Sequence, residues 1–544
     1  MTAFKKKKTP SLKFIVGLAL ALTGFFLPFL IRFEGLPVAG HFALSIFLLA
    51  AILWIFETIP IYATSLLVIF LQVVLLSAQG PLFSKGELQV TQPVWVEGLW
   101  KVPEQALDQD SLHIKTGDRS YLTIPVEIVQ EGEYSLVWSD YLNNNSPVVS
   151  NSQSRFIGYL PVPFTLFIGT LANPVIILFL AGFMLAAGAV KFNLDKNITG
   201  FLLTPFGHKP ANISLGLMLV TASLSAFMSN TATTAMMMTV AIPIIMQVNP
   251  LDKFRMILVL SVPIAANLGG LITPIGTPPN AIVISALQQQ GIQIDFGKWV
   301  SIMLPLASLM LLISWTALQM LFKPSIKKFS LSLEKKLDKS PKAIFLYALF
   351  FITVLFWVTE GLHGIPNGIV ALLPIAGLTI SNVLTRDDIR NLPWEVLWLV
   401  AGGIALGISM ENTGLAGWLV SGVAWQNLPK LILLAAFGLT AWGFSVFLSN
   451  TVAATLLVPM AVSIAVSGIA GEGFNLGLAG LVIGAACSLA MVLPISTPPN
   501  AIAMSTGLIK SSDMVKIGLI VGLIGILTTL AFSMIFWPMM LTSN

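Results

Sequence analysis

Two short polar motifs each occur twice in this chain, and each copy lies 220 residues from its partner. Ser229-Asn230-Thr231 returns as 449–451, and Thr277-Pro-Pro-Asn280 returns as 497–500. The two motifs are 48 residues apart in both halves, with no insertion between them. Matching order and spacing indicate an internal duplication. No His-rich, Cys-rich or paired-Asp cluster supports enzyme chemistry, so the analysis of function depends on these uncharged residues.

The Thr-Pro-Pro-Asn motif predicts an interrupted helix. Thr277 can cap a helix whose first turn holds two prolines, where missing N–H groups cost little. Upstream, proline ends the preceding half-helix and leaves carbonyls without intrahelical donors. Such carbonyls are costly at membrane depth unless something binds them, and a sodium ion takes oxygen ligands of this kind. We therefore predict one sodium site per half, where Gly276 and Ser496 allow close backbone approach.

The Ser-Asn-Thr motif lies in the middle of an apolar stretch in each half, at 212–247 and 431–467. Such a stretch is too long for one ordinary crossing and too short for two, so we predict two re-entrant hairpins with the motif at each tip. A helix N-terminus with short polar side chains binds anions such as carboxylates. The candidate anion ligands are Asn230, Thr231, Asn450 and Thr451. Alone, such a motif is ordinarily a packing contact, but its duplication in register favours a site.

Composition places these motifs in a membrane. The chain has 544 residues, of which 56% are hydrophobic and 10% charged, whereas a soluble protein carries about 25% charged residues. The mean hydropathy is +0.88. We predict an all-α polytopic membrane protein with about 11 transmembrane helices, two of them broken. The predicted spans are 14–31, 41–58, 60–78, 173–190, 256–288, 300–321, 343–359, 367–384, 395–411, 476–509 and 517–540.

Charge gives the predicted orientation. Loops on the N-terminal side hold 21 of the 29 Lys and Arg residues, which predicts a cytoplasmic N-terminus in the plasma (inner) membrane. Eleven crossings then put the C-terminus outside. Five crossings separate the two Ser-Asn-Thr motifs, so the halves have opposite orientations. Inverted repeats with matching interrupted helices indicate a secondary transporter with its site between the repeats. The net charge of +5 follows this topology and requires no nucleic acid partner.

Residues 80–156 break the apolar pattern. They hold ten acidic and five basic residues, and their β-branched and aromatic content predicts a small β-rich insertion outside the cytoplasm. A turn is expected at 143–147. An acidic surface repels anions, so a cap is favoured over a substrate-gathering role. The expected organisation is a basic N-terminus with the first span (1–40), the first part of repeat 1 (41–79), the insertion (80–156), the rest of repeat 1 (157–322), a basic cytoplasmic linker (323–342) and repeat 2 (343–544).

Other polar residues carry weaker signals. Cys487 is the single cysteine, so no disulfide framework or thiolate metal site is expected. Glu57, Glu360 and Glu411 lie near span ends, where interfacial or structural roles are favoured over proton relays. The N-terminal apolar run lacks a clear cleavage site and is expected to stay as a span.

The paired motifs resemble those of the divalent anion–sodium symporter family, which carries dicarboxylates, citrate or sulfate. The resemblance covers the chain apart from residues 80–156. It implies a homodimer of eleven-helix protomers in lipid, each with a scaffold domain and a transport domain that moves like an elevator. It also implies import of a small divalent anion, either a C4-dicarboxylate or a citrate-like anion, with Na+ as coupling ion and no organic cofactor.

The resemblance also implies ligand sets. The first sodium site would use Ser225, Ser229, Asn230 and the Gly276 backbone. The second would use Ser445, Asn450 and backbone oxygens near Leu448, Ser496 and Pro498. The anion would contact Asn230, Thr231, Asn450 and Thr451, with Thr277 and Thr497 nearby. This chain departs from the family pattern in carrying Ser496 where the first repeat has Gly276.

Several alternatives stay open. The same fold could work as a sodium-independent anion exchanger, as a proton-coupled carrier or as a sulfate carrier. A different possibility is a receptor-like membrane protein that senses ligand through residues 80–156. Neutral hydroxyl and amide groups accept succinate, citrate and sulfate alike, so the sequence does not identify the anion. It does not give the sodium stoichiometry either.

Overall fold

The structure is a computed structural model. The residues it describes are 12–31, 33, 36, 38–77, 94–96, 99–103, 107–108, 111–117, 120–130, 134–138, 155–157, 163–192, 194, 204–206, 208–326, 338–415, 418–419, 429–466 and 475–542. The predicted basic N-terminus, the turn at 143–147 and most of the basic linker lie outside these residues.

Helices dominate the described residues. The first four are α1 (Leu12–Leu30), α2 (Val38–Phe56), α3 (Ile61–Leu76) and α4 (Phe164–Ile168). The rest of the first half holds α5 (Pro174–Lys191), α6 (Pro210–Ser225), α7 (Asn230–Met246), α8 (Phe254–Gly270), α9 (Pro278–Gln289) and α10 (Phe296–Leu321). The second half holds α11 (Pro341–Val358), α12 (Glu360–His363), α13 (Asn367–Val370), α14 (Leu372–Ile380), α15 (Arg386–Arg390), α16 (Trp394–Asn412), α17 (Lys430–Phe447), α18 (Asn450–Val466), α19 (Leu476–Ser488), α20 (Pro498–Ser505), α21 (Ser511–Ile535) and α22 (Trp537–Thr542).

Eight helical segments among the described residues are long and apolar enough to cross a membrane. The prediction of a helical polytopic membrane protein is therefore confirmed, while the count of eleven spans stays a prediction. The two halves of the first broken segment, α8 and α9, have 17 and 12 residues. In the second, α19 and α20 have 13 and 8. Each half is too short to cross alone, since a span needs about 20 residues.

Contacts divide the chain into two compact units. The first contains Met1–Thr170 and Gly402–Ala424. Within it, α1 packs on α2 and α2 packs on α3. The buried Gln72 side chain donates to the Ala405 carbonyl and to Ser409 Oγ, both at 2.9 Å. This polar contact between α3 and the end of α16 replaces the water that a buried amide would lose.

The strands also belong to the first unit and lie in the segment where the sequence predicts a β-rich insertion. They are β1 (Val94–Val96), β2 (Leu99–Pro103), β3 (Leu107–Asp108), β4 (Ser111–Gly117), β5 (Ser120–Pro125), β6 (Glu127–Gln130), β7 (Tyr134–Trp138) and β8 (Arg155–Ile157). One sheet has the order β1-β2-β7-β6; in the other, β4 pairs with β3, β5 and β8. All described pairs are antiparallel.

The second unit contains Leu171–Ala401 and Trp425–Asn544, so both copies of both motifs lie within it. The helix that follows each Ser-Asn-Thr motif packs against the broken helix of the other repeat: α7 contacts α20, and α18 contacts α9. Small residues allow such approaches. A Cβ added to Gly480 on α19 would lie 3.0 Å from Val283 on α9. The duplicated elements are therefore interleaved in one body.

Glu360 supports the structural role that its position predicted. Its carboxylate accepts hydrogen bonds from the backbone N–H groups of Phe296 and Asn367, which begin α10 and α13. Burial and the nearby charge of Asp295 nevertheless raise the pKa of Glu360. On the other side of α14, burial opposes ionisation of Asp388, but hydrogen bonds from Lys191 and Thr385 lower its pKa to about 2.

Candidate functional site

The Ser-Asn-Thr motifs stand at two equivalent helix starts. The Ser229 hydroxyl accepts a hydrogen bond from the Ala232 N–H at 3.2 Å and so caps α7. The Ser449 hydroxyl does the same for Val452 at 3.2 Å on α18. Capping satisfies one of the four N–H groups that a helix start leaves without a partner. The remaining N–H groups give each start a partial positive charge.

The Thr-Pro-Pro-Asn motifs begin the second half of each broken helix. Thr277 precedes α9 and Thr497 precedes α20, both in extended conformation with φ near −149° and −142°. Thr497 Oγ1 accepts a hydrogen bond from the Asn500 N–H at 3.4 Å, whereas the Thr277 side chain makes no capping bond. Both threonines are buried.

Asn280 closes the first break. Its side-chain nitrogen donates to the carbonyls of Gly270 at 2.9 Å and Thr273 at 2.8 Å. The Trp299 indole donates to the Leu271 carbonyl at 3.1 Å. These three carbonyls lack intrahelical donors, as expected for a break, but side chains of Asn280 and Trp299 donate to them instead. A side-chain amide supplies what the missing helical turn would have supplied.

Asn500 closes the second break in the same way. It donates to the Met491 carbonyl at 3.0 Å and to the Leu493 carbonyl at 2.9 Å. The sequence did contain the signal for this role, since Asn is the last residue of both copies of the motif. Sequence reasoning missed it because the prolines alone explained the break.

Four polar groups of the first repeat lie close together around the Asn230 amide. The Ser225 hydroxyl donates to the Ala266 carbonyl at 2.8 Å. One end of the Asn230 amide lies 2.8 Å from Ser225 Oγ, 3.1 Å from the Ala266 oxygen and 3.3 Å from the Gly276 oxygen. We call these four groups the oxygen cluster. The sequence did not identify Ala266 as a member, because a carbonyl has no side-chain signal.

The Asn230 amide fits the oxygen cluster in two orientations, since its oxygen and nitrogen ends have nearly the same shape. With nitrogen inward, its two hydrogens lie within reach of all three oxygens. With oxygen inward, it accepts from the Ser225 hydroxyl at 2.8 Å but faces the Ala266 and Gly276 oxygens, and a bound cation would offset that repulsion. Gly270 and Gly276 make room for the amide: a Cβ on Gly276 would lie 2.5 Å from the Gly270 oxygen, and one on Gly270 would overlap the Asn230 side chain.

The second repeat is arranged differently. Ser445 and Asn450 are the counterparts of Ser225 and Asn230. Asn450 Oδ1 is buried and has no hydrogen-bond partner among the described residues, whereas the Ser445 hydroxyl lies within hydrogen-bond reach of the Cys487 thiol, a weak partner. Buried polar atoms without partners are costly and uncommon. Asn450 Oδ1 is therefore open to a ligand that supplies positive charge, and Ser445 can turn an oxygen lone pair toward the same ligand. Leu448 lies between them in the chain, and Pro498 begins α20.

The Ser496 departure has a structural explanation. Its hydroxyl donates to the Val446 carbonyl at 2.7 Å. The equivalent carbonyl in the first repeat, Ala226, accepts from Thr273 instead. The counterpart of Thr273 is Leu493, which has no hydroxyl. In each repeat, one hydroxyl of the break thus donates to a carbonyl at the end of the helix before the Ser-Asn-Thr motif, which is α6 or α17. In the second repeat this hydroxyl stands three residues later than in the first.

The threonines of the Ser-Asn-Thr motifs are not equivalent either. Thr231 is exposed, whereas Thr451 is buried. The site as a whole carries little side-chain charge: between 210 and 289 the cations are Lys253 and Arg255, and between 430 and 509 the cation is Lys430. Among the described residues, no group of three or more His, Cys, Asp or Glu side chains could hold a metal ion. The groups at this site are neutral oxygens, amides and helix N-termini.

Comparison with known proteins identifies a family. The model of the family described as the sodium:sulfate symporter transmembrane region matches residues 163–543. A protein of Haemophilus influenzae, named only as an uncharacterized transporter, is 32% identical over 391 residues, which cover 67% of this chain and 82% of that protein.

Two staphylococcal relatives are also similar, and both are named sodium-dependent dicarboxylate transporter SdcS. The Staphylococcus saprophyticus protein is 28% identical over 65% of this chain and 75% of its own. The Staphylococcus aureus protein is 29% identical over 65% and 74%. Among solved structures, the Alcanivorax borkumensis YdaH transporter, reported to have an unusual topology, aligns with a TM-score of 0.50. It covers 76% of this chain and 94% of that one at 10% identity, which is a similarity of fold alone.

Proposed function

Because the chain belongs to the family of the sodium:sulfate symporter transmembrane region, we propose that it imports a divalent organic anion together with sodium ions. Its family makes it a membrane transporter rather than an enzyme, as the sequence predicted. The proposal concerns the substrate, the coupling ion and the way in which the protein moves.

The observation that carries the proposal is the oxygen cluster of Ser225, Asn230, Ala266 and Gly276. Its four groups are uncharged, and one of them, Asn230, can turn an oxygen or a nitrogen toward the others. A monovalent hard cation is held by such neutral oxygens. In the second repeat, the Asn450 oxygen, which has no partner among the described residues, and the Ser445 hydroxyl, whose partner is the weakly binding Cys487 thiol, support an equivalent site. We assign sodium to both sites, with Ser229, Leu448, Ser496 and Pro498 as the further ligands expected from the resemblance.

The anion is proposed to bind between the starts of α7 and α18, at Asn230, Thr231, Asn450 and Thr451, with Thr277 and Thr497 nearby. Helix N-termini attract negative charge, and two sodium ions would supply the counter-charge that this region lacks in Lys and Arg. Relatives named as sodium-dependent dicarboxylate transporters favour a C4-dicarboxylate over sulfate. A citrate-like anion has the same recognition chemistry.

The proposed mechanism is an elevator. Sodium binding orders the helix starts, the anion then binds, and the loaded domain moves across the membrane in each protomer of a homodimer. Both copies of both motifs lie in one compact unit, which supports a single domain that carries the site. We propose an inner-membrane protein with its N-terminus inside, and its C-terminus and residues 80–156 outside. Each excess positive charge carried inward would gain about 2.3 kcal/mol per 100 mV.

Uptake of labelled succinate into proteoliposomes tests the proposal. An inward sodium gradient should drive uptake, and an equal potassium gradient should not. Asn230→Ala and Asn450→Ala should abolish uptake while the protein remains folded, because each removes one sodium ligand and one anion ligand. Normal uptake by either variant would refute the site assignment.

The same vesicles separate the alternatives. A sodium-independent exchanger would carry succinate only when the vesicles are preloaded with it. If a chain lacking residues 80–156 still transports, those residues do not form an obligatory sensing domain. If succinate is not carried under either condition, the same test with sulfate and citrate decides between these anions and the dicarboxylates.

A further inference from the structure

Asn267 joins the oxygen cluster of the first repeat to Thr497 of the second. It lies on α8 and is 1% exposed among apolar neighbours. Its side-chain nitrogen donates to Thr497 Oγ1 at 3.2 Å. Its side-chain oxygen accepts from the Asn230 amide nitrogen at 3.5 Å. A buried amide in an apolar helix is costly unless its hydrogen bonds are made, and here they connect groups that the sodium and anion sites would use.

The direction of these hydrogen bonds depends on the orientation of Asn230. When its oxygen faces the cluster, its nitrogen donates to Asn267, and Asn267 donates to Thr497. Thr497 Oγ1 also accepts from the Asn500 N–H. A hydroxyl has two acceptor positions and one hydrogen. Both acceptor positions are then filled, so the Thr497 hydrogen remains as the group it can offer to an anion.

The opposite orientation of the Asn230 amide reverses the direction of the hydrogen bonds from Asn230 through Asn267 to Thr497. When the Asn230 nitrogen faces the cluster, its oxygen faces Asn267. Asn267 satisfies both neighbours only by turning its own nitrogen toward Asn230 and its oxygen toward Thr497. The Thr497 hydroxyl then donates its hydrogen to Asn267 and leaves a lone pair for the anion site. A lone pair repels an anion, so this state binds the anion weakly.

We propose that Asn267 is a positioning residue that couples sodium binding in the first repeat to anion binding at Thr497. A sodium ion in the oxygen cluster holds the Asn230 oxygen toward the cluster. The orientations of the Asn230 and Asn267 amides then determine whether the Thr497 hydroxyl presents its hydrogen or a lone pair to the anion site. This inference rests on the proposed function. It requires no backbone movement, because both states use the same heavy-atom positions.

The coupling is expected in one repeat only. The counterpart of Asn267 in the second repeat is Cys487, whose thiol is a weak donor and a weak acceptor. In keeping with this, Thr277, the counterpart of Thr497, has no side-chain capping bond. The first repeat would therefore provide most of the dependence of anion affinity on sodium.

Binding measurements on purified full-length protein test the proposal. The quantity is the ratio of the succinate Kd in potassium to the Kd in saturating sodium. We expect a ratio of about 10 or more in the wild type, within the usual 5–150-fold range of coupling between sites. Asn267→Leu keeps the size but removes both hydrogen bonds, so its ratio should fall several-fold, to the part that the counter-charge of the sodium ions supplies by itself. Sodium alone should still raise its melting temperature, since the cluster itself is unchanged.

Two further variants make the result specific. Ser261→Ala, on the same helix, removes a buried hydroxyl that has no hydrogen-bond partner in the part of the chain that the structure describes, and it should keep the wild-type ratio. Asn267→Ser, which is too short to reach both neighbours, should lose it and serves if Asn267→Leu does not fold. Adding Asn267→Leu to Thr497→Val should change the ratio no further, because the two residues act through one bond.

The outcomes are distinguishable. A wild-type ratio kept by both Asn267 variants would overturn the proposal while leaving the proposed function intact. The same would follow if Ser261→Ala lost the ratio equally. A wild type whose succinate affinity ignores sodium would instead refute the proposed function, and the coupling inference with it.

Discussion

Replacing Asn280 by alanine should destabilise the protein without touching either proposed ligand set. Asn280 is completely buried, and its nitrogen donates at 2.9 Å to the Gly270 carbonyl and at 2.8 Å to the Thr273 carbonyl. The variant leaves the Gly270 carbonyl buried without its donor, which costs about 1–3 kcal/mol. The Thr273 carbonyl keeps a longer bond from the Gly276 N–H at 3.3 Å, so its loss is about 0.5–1.5 kcal/mol.

The expected destabilisation is therefore about 2–4 kcal/mol by these per-bond values. Unfolding by SDS titration in mixed micelles measures it, with potassium in place of sodium so that ligand binding does not contribute. Asn500→Ala should lose a similar amount, because Asn500 likewise donates to two carbonyls of its break. Asn249→Ala, which removes one exposed turn bond to the Leu251 N–H, is the matched control and should change little. A loss below about 1 kcal/mol for Asn280→Ala would contradict the argument that its amide closes the break.

Two other predictions follow from close packing and from charge. Gly276→Ala should destabilise by at least about 1–3 kcal/mol, because its Cβ would lie 2.5 Å from the Gly270 carbonyl oxygen; Gly443→Ala, with nothing within 4 Å, should not. The two melting temperatures in potassium decide this. The pKa of Glu360 is raised in the folded protein. The protonated side chain therefore adds to the free energy of unfolding fully below pH 4.5, and this contribution is lost as pH rises through the folded pKa. Glu360→Gln should therefore gain stability over the wild type as pH rises above 4.5; a constant difference would contradict the assignment.

Much of the fold could be predicted from local signals. The prolines of the duplicated motif predicted the start of α9 at Pro278 and of α20 at Pro498, because the first turn is where a helix tolerates proline best. The apolar runs predicted a helical membrane protein. Orientation, dimerisation and re-entry depend on lipid and on other chains, so those parts stay predictions.

The candidate site was predictable only in part. Local motifs identified Asn230 and Thr497, but not the residue between them. Asn267 and Thr497 are 230 residues apart in the chain, and a contact at that separation has no local sequence signal. The roles of Asn280 and Asn500 were also missed, since an amide that binds carbonyls seven or more residues back looks, in sequence, like any other asparagine. The break carbonyls consequently have fewer open positions than the sequence suggested.

The displaced hydroxyl has a consequence for exchange of sequence between the two halves. Thr273 and Ser496 do the same work from different positions, so neither can be copied to the other half by a single substitution. Introducing serine at Gly276 brings a side chain against the Gly270 backbone, and removing Ser496 leaves the Val446 carbonyl without the donor it now has. The segment 270–280 has its hydroxyl at Thr273 and its closely packed glycine at Gly276. An exchange between the repeats would therefore have to move the whole break rather than one residue.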